Sequence, residues 1–153
     1  MPIPQSVFRP DLFAGRSAIV TGGGSGIGKA IAHELLRLGC RVVIAGRDAA
    51  RLARAAATLA RDTGGTVFPI PANVREEESV KALMAASKDA FGGRIDLLVN
   101  NAGGQFPSPA AWIRKKGWDA VVETNLTGTF LCCREAFHSS MDEHGGAIVN
   151  IIA

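Results

Sequence analysis

The stretch "TGGGSGIG", residues 21–28, decides the fold. Before it stands "SAIVTG" (17–22), a short apolar run that reads as a buried strand. After it, Ile27, Ile31, Leu35 and Leu38 recur at three-to-four spacing, which predicts one face of a helix. Gly39 predicts the end of that helix, because glycine takes the left-handed cap geometry readily. A glycine-rich turn between strand and helix is the form of a phosphate cradle. Gly22 permits the sharp turn, Gly26 lets backbone approach a pyrophosphate, and Gly28 lets the helix pack close on the strand. Free N–H groups and the positive end of the helix dipole then face the phosphates. Gly24, Ser25 and Ile27 complete this candidate set, with the Ser25 hydroxyl as a further donor. The same residues also suit a turn with no ligand. A nucleotide-hydrolase loop is excluded, since Lys29 is followed by Ala30 and not by serine or threonine.

Outward from this loop, strand and helix alternate. "CRVVIAG" (40–46) predicts a second strand, and the alanine-rich 48–62 a second helix. "TVFPIPANV" (66–74) predicts a third strand, at a sheet edge, because two prolines deny the ladder two donors. Residues 77–91 predict a helix with Val80, Leu83, Met84, Ser87 and Phe91 inward. "IDLLVNNAG" (95–103) predicts a fourth strand running into a polar turn. A long helix over about 117–139 is expected to bury Val121, Val122, Leu126, Phe130, Cys133 and Phe137. "GGAIVNIIA" (145–153) ends in an apolar run, read as a buried parallel strand. Crossovers of this length imply parallel pairing and right-handed connections. The expected fold is therefore α/β: a Rossmann-type doubly wound parallel sheet in the order 3-2-1-4-5. Residues 1–15, with three prolines, read as an amino-terminal arm, and 16–153 as a dinucleotide-binding domain.

The second strand ends at "AGRD". In dinucleotide folds an acid near this point accepts from the ribose 2′-hydroxyl, whereas an arginine accommodates a 2′-phosphate. Arg47 lies at the right distance behind the small Gly46, which predicts NADP(H) over NAD(H). Asp48 is the acid if the register shifts, or a helix N-cap if it does not. An ordinary surface arginine is the competing reading of Arg47.

Composition limits the rest. Of 153 residues, 47% are apolar and 20% charged, with a net charge of only +3, which suits a core-forming domain and gives no basic face for nucleic acid. No apolar run reaches membrane-spanning length, and the first residues lack a secretory pattern. The three cysteines, Cys40, Cys132 and Cys133, lack metal spacing and suggest reduced thiols and a cytoplasmic location; a carboxyl-terminal peroxisomal signal lies outside what the sequence displays.

"PANV" (71–74), "NNAG" (100–103) and "NLTG" (125–128) follow the glycine loop in order. With it, they resemble the short-chain dehydrogenase/reductase family over residues 12–153. "NNAGGQFPSPA" (100–110), "KKGWDAVVETNLTGTF" (115–130) and "HGGAIVNII" (144–152) look closest to the peroxisomal trans-2-enoyl-CoA reductase branch and its bacterial relatives. Some bacterial relatives resemble citronellol-type alcohol dehydrogenases equally. The resemblance implies that Asn100, Ala102 and Gly103 pack the nucleotide ribose and support the sheet, with Asn101 in the same cofactor set. It places Asn73 and Val74 at the adenine, although the family usually has aspartate at the position of Asn73. It makes Asn125 the active-site asparagine that anchors a water in a proton relay; a structural bond to nearby backbone is the alternative. Gln105 either faces the ligand or belongs to a turn shaped by its prolines and glycines.

The family's serine, tyrosine and lysine follow the fifth strand, and this sequence contains no tyrosine. The resemblance therefore implies the amino-terminal part of a longer family member, with the proton donor beyond Ala153 and the last strands absent. It implies an NADPH-dependent oxidoreductase reducing 2-enoyl-CoA thioesters. The alternatives are an NAD(P)-dependent alcohol or carbonyl dehydrogenase and a non-catalytic dinucleotide-binding protein. An acyl-CoA or other small-molecule substrate and a homo-oligomer, tetramer or dimer, are the implied partners, with neither nucleic acid nor membrane.

Overall fold

The computed structural model describes residues 7–105 and 108–152. Its sheet runs in the order β3-β2-β1-β4-β5, all parallel. The strands are β1 (Ser17–Thr21), β2 (Arg41–Gly46), β3 (Val67–Pro71), β4 (Leu97–Asn100) and β5 (Ala147–Asn150). Between them run α1 (Gly26–Arg37), α2 (Ala49–Thr63) and α3 (Glu77–Phe91). The last crossover is one helical run over 115–144: α4 (Lys115–Val122), a π turn Glu123–Thr127, α5 (Gly128–Ala136), a second π turn Phe137–Met141, and the short α6 (Asp142–His144).

Two cores cover the faces of the sheet. On one, α1 and α2 bury Ala32, Leu35, Leu36, Leu52 and Leu59 against Ala18, Val20, Val42 and Ile44. On the other, α3 and α5 bury Val80, Leu83, Met84, Leu131 and Cys132 against Ile19, Val43 and Leu98. Each leucine, isoleucine, valine and methionine among them contributes ~1.5–3 kcal/mol by leaving water. The five inward residues expected on α3 are all buried. β3 is an edge strand, where Pro69 and Pro71 cost no central ladder bond. α2 is capped by Asp48, whose carboxylate accepts from the Arg51 N–H at 2.9 Å. The N-cap reading of Asp48 therefore holds.

The amino end of the sheet is pinned by a buried carboxylate. Asp96 accepts from Arg16 Nη1 at 2.8 Å, from the Ser17 N–H at 3.0 Å and from Ser17 Oγ at 3.1 Å, and pairs with Arg94 Nε at 2.8 Å. Burial pushes its pKa up, but the Arg16 bond, the two Ser17 bonds and Arg94 together bring it below the ordinary value.

Three expectations about faces are corrected. Ile27 is 64% exposed, and the buried face of α1 is set by Ala32, Leu35 and Leu36. On the long helix the buried residues are Gly128, Leu131, Cys132, Ala136, Ser140 and Met141. Leu126, Phe130 and Phe137 point outward, while Val121, Val122 and Cys133 are half-buried. The helix has two apolar faces. Leu131, Cys132, Ala136 and Met141 face inward and Leu126, Phe130 and Phe137 outward, and each π turn inserts a residue that breaks the 3.6 period. β5 is an exposed strand, since among the described residues none pairs with its outer edge.

Candidate functional site

The carboxyl ends of β1, β2, β3 and β4 open into one cleft of about 560 Å³. Ligands bind at this end of doubly wound sheets because the strand order reverses there. Of the residues expected from sequence, Gly22, Gly24, Ser25, Arg47, Asn73, Val74, Asn101, Ala102 and Gly103 line it. Gly26, Ile27, Gly28 and Asn125 lie outside that lining.

The glycine loop carries β1 into α1. A Cβ on Gly28 would stand 2.5 Å from the Gly22 carbonyl oxygen, so only glycine lets α1 seat on the strand end. Gly26 has φ +53 and open space on its Cβ side, the geometry for close approach of a ligand to backbone. Ser25 is the N-cap of α1 and makes no side-chain capping bond, so its hydroxyl remains available at the mouth. At the start of the loop, Thr21 gathers the turn after β4. Its Oγ1 accepts from the N–H groups of Asn101 and Ala102, each at 3.0 Å, and Asn101 Nδ2 donates to the Thr21 carbonyl at 3.0 Å. Asn100 points away and donates to Asn150 Oδ1 at 2.9 Å and to Cys133 Sγ at 3.2 Å, tying β4 to β5 and to the helix.

Arg47, Arg51 and Arg75 line the cleft with one carboxylate, Asp48; Arg47 and Arg51 flank Asp48, whereas the Arg75 guanidinium is bonded to the long helix. Asp48 is held 3.5 Å from Arg51 Nε. The Arg51 backbone N–H, then the Arg51 and Arg54 charges, keep its carboxyl below the usual range. Its side chain is thus engaged with α2 and not turned toward a ribose. Asn73 donates to Glu76 Oε1 at 2.6 Å, and its Oδ1 accepts from the Arg75 N–H at 3.3 Å.

Asn125 sits in the first π turn. Its Oδ1 accepts from the Gly104 N–H at 3.0 Å and its Nδ2 donates to the Gly104 carbonyl at 3.2 Å. The side chain is therefore bonded to backbone in both directions, holding the loop after β4. Gln105 in that loop is exposed, and Phe106 and Pro107 lie outside the described residues. Burial pushes the Cys40 and Cys132 thiols up to about 12, and also raises Cys133, which makes them poor nucleophiles.

Thr21, Arg51, Arg75 and Thr124 are cleft or cleft-organising residues that the sequence reading missed. Thr21 had a signal, a hydroxyl at the last position of β1. Arg51 had one too, one helical turn beyond Arg47. Arg75 and Thr124 had none, because 49 residues separate them.

A family profile described as short chain dehydrogenase matches residues 16–153. The chain belongs to the short-chain dehydrogenase family. Among curated proteins it is similar to a peroxisomal 2,4-dienoyl-CoA reductase of Danio rerio, 40% identical over 96% of this chain and 49% of that one. Among solved structures it is similar to a citronellol catabolism dehydrogenase of Pseudomonas aeruginosa PAO1, at 50% identity and TM-score 0.92, covering 98% of this chain and 61% of that one. It is also similar to a variant actinorhodin polyketide ketoreductase solved with NADPH, at 37% identity and TM-score 0.86, covering 90% of this chain and 53% of that one. The chain thus spans about half the length of the curated relatives it matches. The expected cytoplasmic location is overturned, because the named curated relatives are peroxisomal enzymes. No helix among the described residues is long and apolar enough to cross a membrane.

Proposed function

We propose that the protein is an NADPH-dependent dehydrogenase exchanging hydride at the alcohol or carbonyl carbon of an apolar substrate. The observation that carries the cofactor part is the arginine pair, Arg47 and Arg51 against Asp48, lining the cleft beside the glycine loop. A 2′-phosphate fits that charge, and open space at Gly26 fits a pyrophosphate. Bound NADPH supplies the hydride. The chain's own residues hold it: Arg47 the 2′-phosphate, Ser25 and the loop N–H groups the pyrophosphate, Asn73 and Val74 the adenine, and Asn101 to Gly103 the ribose. Asn125 fixes the loop after β4 at the reaction end through Gly104. No residue lining the cleft is assigned as the acid that gives or takes the proton. The alcohol or carbonyl substrate is supported by the 50% identity to the citronellol enzyme.

The second reading, reduction of an unsaturated acyl-CoA, is favoured by the 40% identity to the dienoyl-CoA reductase. In either case the exposed face of the long helix, with Trp118, Phe130 and Phe137, suits pairing of copies. The test is NADPH and NADH oxidation by the full-length protein, offered branched apolar aldehydes, 2-enoyl-CoA and 2,4-dienoyl-CoA in parallel. Turnover of aldehydes alone supports the first reading and turnover of thioesters alone the second. Binding of neither nucleotide overturns both.

A further inference from the structure

The loop after β3 is clamped onto the long helix at two points, on either side of Asn125. On the near side, Arg75 Nε donates to Thr124 Oγ1 at 2.6 Å and Nη2 donates to the Ala120 carbonyl at 3.0 Å. Thr124 Oγ1 donates in turn to the same carbonyl at 2.8 Å. On the far side, a Cβ on Gly128 would stand 2.9 Å from Val74 Cγ2 and 3.1 Å from the Val74 carbonyl oxygen, so glycine is what admits the loop there. Between the clamps lies the π turn, closed by Gly128 N–H to the Glu123 carbonyl.

A π turn is a one-residue insertion in an α-helix, and tertiary contacts maintain it. Relaxation to regular α geometry rotates one side against the other by ~100°. Asn125 lies inside the insertion, so such a rotation breaks its bonds to Gly104. Two donors on one planar guanidinium fix direction as well as distance, which a lysine does not reproduce.

We infer that Arg75 is a positioning residue: through Thr124 and Ala120 it holds the π turn, and so sets Asn125 and Gly104. Asn73 and Val74, on the same loop, also line the cleft. The latch therefore ties that part of the lining to the loop after β4. Calling the first the adenine site and the second the reaction site rests on the proposed function; the contacts do not.

The experiment uses the full-length protein and its Arg75→Lys, Arg75→Ala and Thr124→Val variants. Each is measured for NADPH affinity by calorimetry, for kcat and KM, and for amide hydrogen exchange by peptide. The expected result is faster exchange confined to 101–105 and 120–128, a kcat lower by ~10- to 100-fold from misplacement, and NADPH affinity within about threefold of the parent. Arg75→Lys should behave like Arg75→Ala, and because it keeps the charge it guards against a variant that fails to fold. Three results overturn the latch. One is NADPH affinity lost with exchange and kcat unchanged, which makes Arg75 a cofactor ligand. Another is faster exchange throughout with kcat retained, which makes it merely structural. The third is no change in any measurement. If the parent binds no NADPH and turns nothing over, the proposed function fails, and the exchange pattern alone decides the latch.

Discussion

β1 at the centre of the sheet and β5 at its edge carry the same kind of sequence, SAIVT and AIVN, and they sit in opposite surroundings. Ala18, Ile19 and Val20 are wholly buried, whereas Ile148 and Val149 are 39% and 45% exposed. β1 pairs with β2 and β4 and is covered on both faces, while β5 pairs with β4 alone. Apolar composition records what burial a strand would gain, but neighbours decide whether it is buried. Function follows the same division. The end of β1 forms one wall of the cleft, with its turn, its helix and the arginines beside it. Around β5 the described residues leave the sheet open.

Substituting matched positions of the two strands gives the largest expected effect. In the polypeptide of residues 1–153, Ile19→Ala should cost ~2–5 kcal/mol, the range for an aliphatic side chain removed from a packed core. Ile148→Ala should cost well under half of that, because much of the side chain already meets solvent. Urea denaturation of both variants checks this. Equal losses would mean that β5 is covered in solution as fully as β1.

The contrast also separates what the sequence displayed from what it did not. Strand order was legible because each crossover is long enough for one helix and the glycine loop fixes where the chain turns. The inward face of α3 was legible because Val80, Leu83, Met84, Ser87 and Phe91 lie on one unbroken helix face. The long helix was misread because four of its six buried positions, Gly128, Cys132, Ala136 and Ser140, carry a weak apolar signal, while Phe130 and Leu126 carry a strong one outward. The π turns shift the register again. Arg75 and Thr124 were invisible because their pairing depends on where two distant segments meet. Asn125 was visible as a motif, but its two bonds to Gly104 were not.

Asp96 tests the amino end, far from the cleft. Asp96→Asn removes a charge that three donors and Arg94 stabilise, and hydrogen bonds to charged groups are worth ~1.5–3 kcal/mol. The carboxyl's folded pKa is depressed, so its contribution is present above the unfolded value and is lost as pH falls through the folded one. The gap between parent and variant should therefore hold above about pH 5 and close below about pH 4. Unfolding measured across that range checks it, with NADPH affinity unchanged throughout. A gap that widens in acid would contradict the assignment of the shift.

Arg47 tests the cleft. A charge-assisted contact to a 2′-phosphate is worth roughly 1.5–3 kcal/mol. Arg47→Ala should therefore weaken NADPH binding by ~10- to 100-fold and leave NADH nearly untouched. Arg51 lines the cleft with it, so the residual preference for NADPH should not vanish until both are removed. Calorimetric titration of both nucleotides distinguishes the cases. Equal losses for the two would make Arg47 structural.

Phe130 gives the smallest effect on folding and bears on the exposed face most directly. Its side chain is outside the core, with the residue 57% exposed and the Arg134 guanidinium 5.6 Å from the ring centre. Arg134 keeps its ion pairs with Glu77 and Glu135, both at 2.7 Å, whether or not the ring is present. Phe130→Gln therefore removes an exposed cation–π contact worth ~0.5–1 kcal/mol and replaces the ring with a better helix former. The net change in folding free energy should lie within about 0.5 kcal/mol, as for surface substitutions. Association should respond differently, because a large aromatic at the centre of a helix face is the kind of residue that anchors an interface. Light scattering of the full-length protein should then show a smaller particle for the variant at equal concentration. An unchanged particle size together with an unchanged unfolding midpoint would place any interface elsewhere and leave this face in contact with solvent.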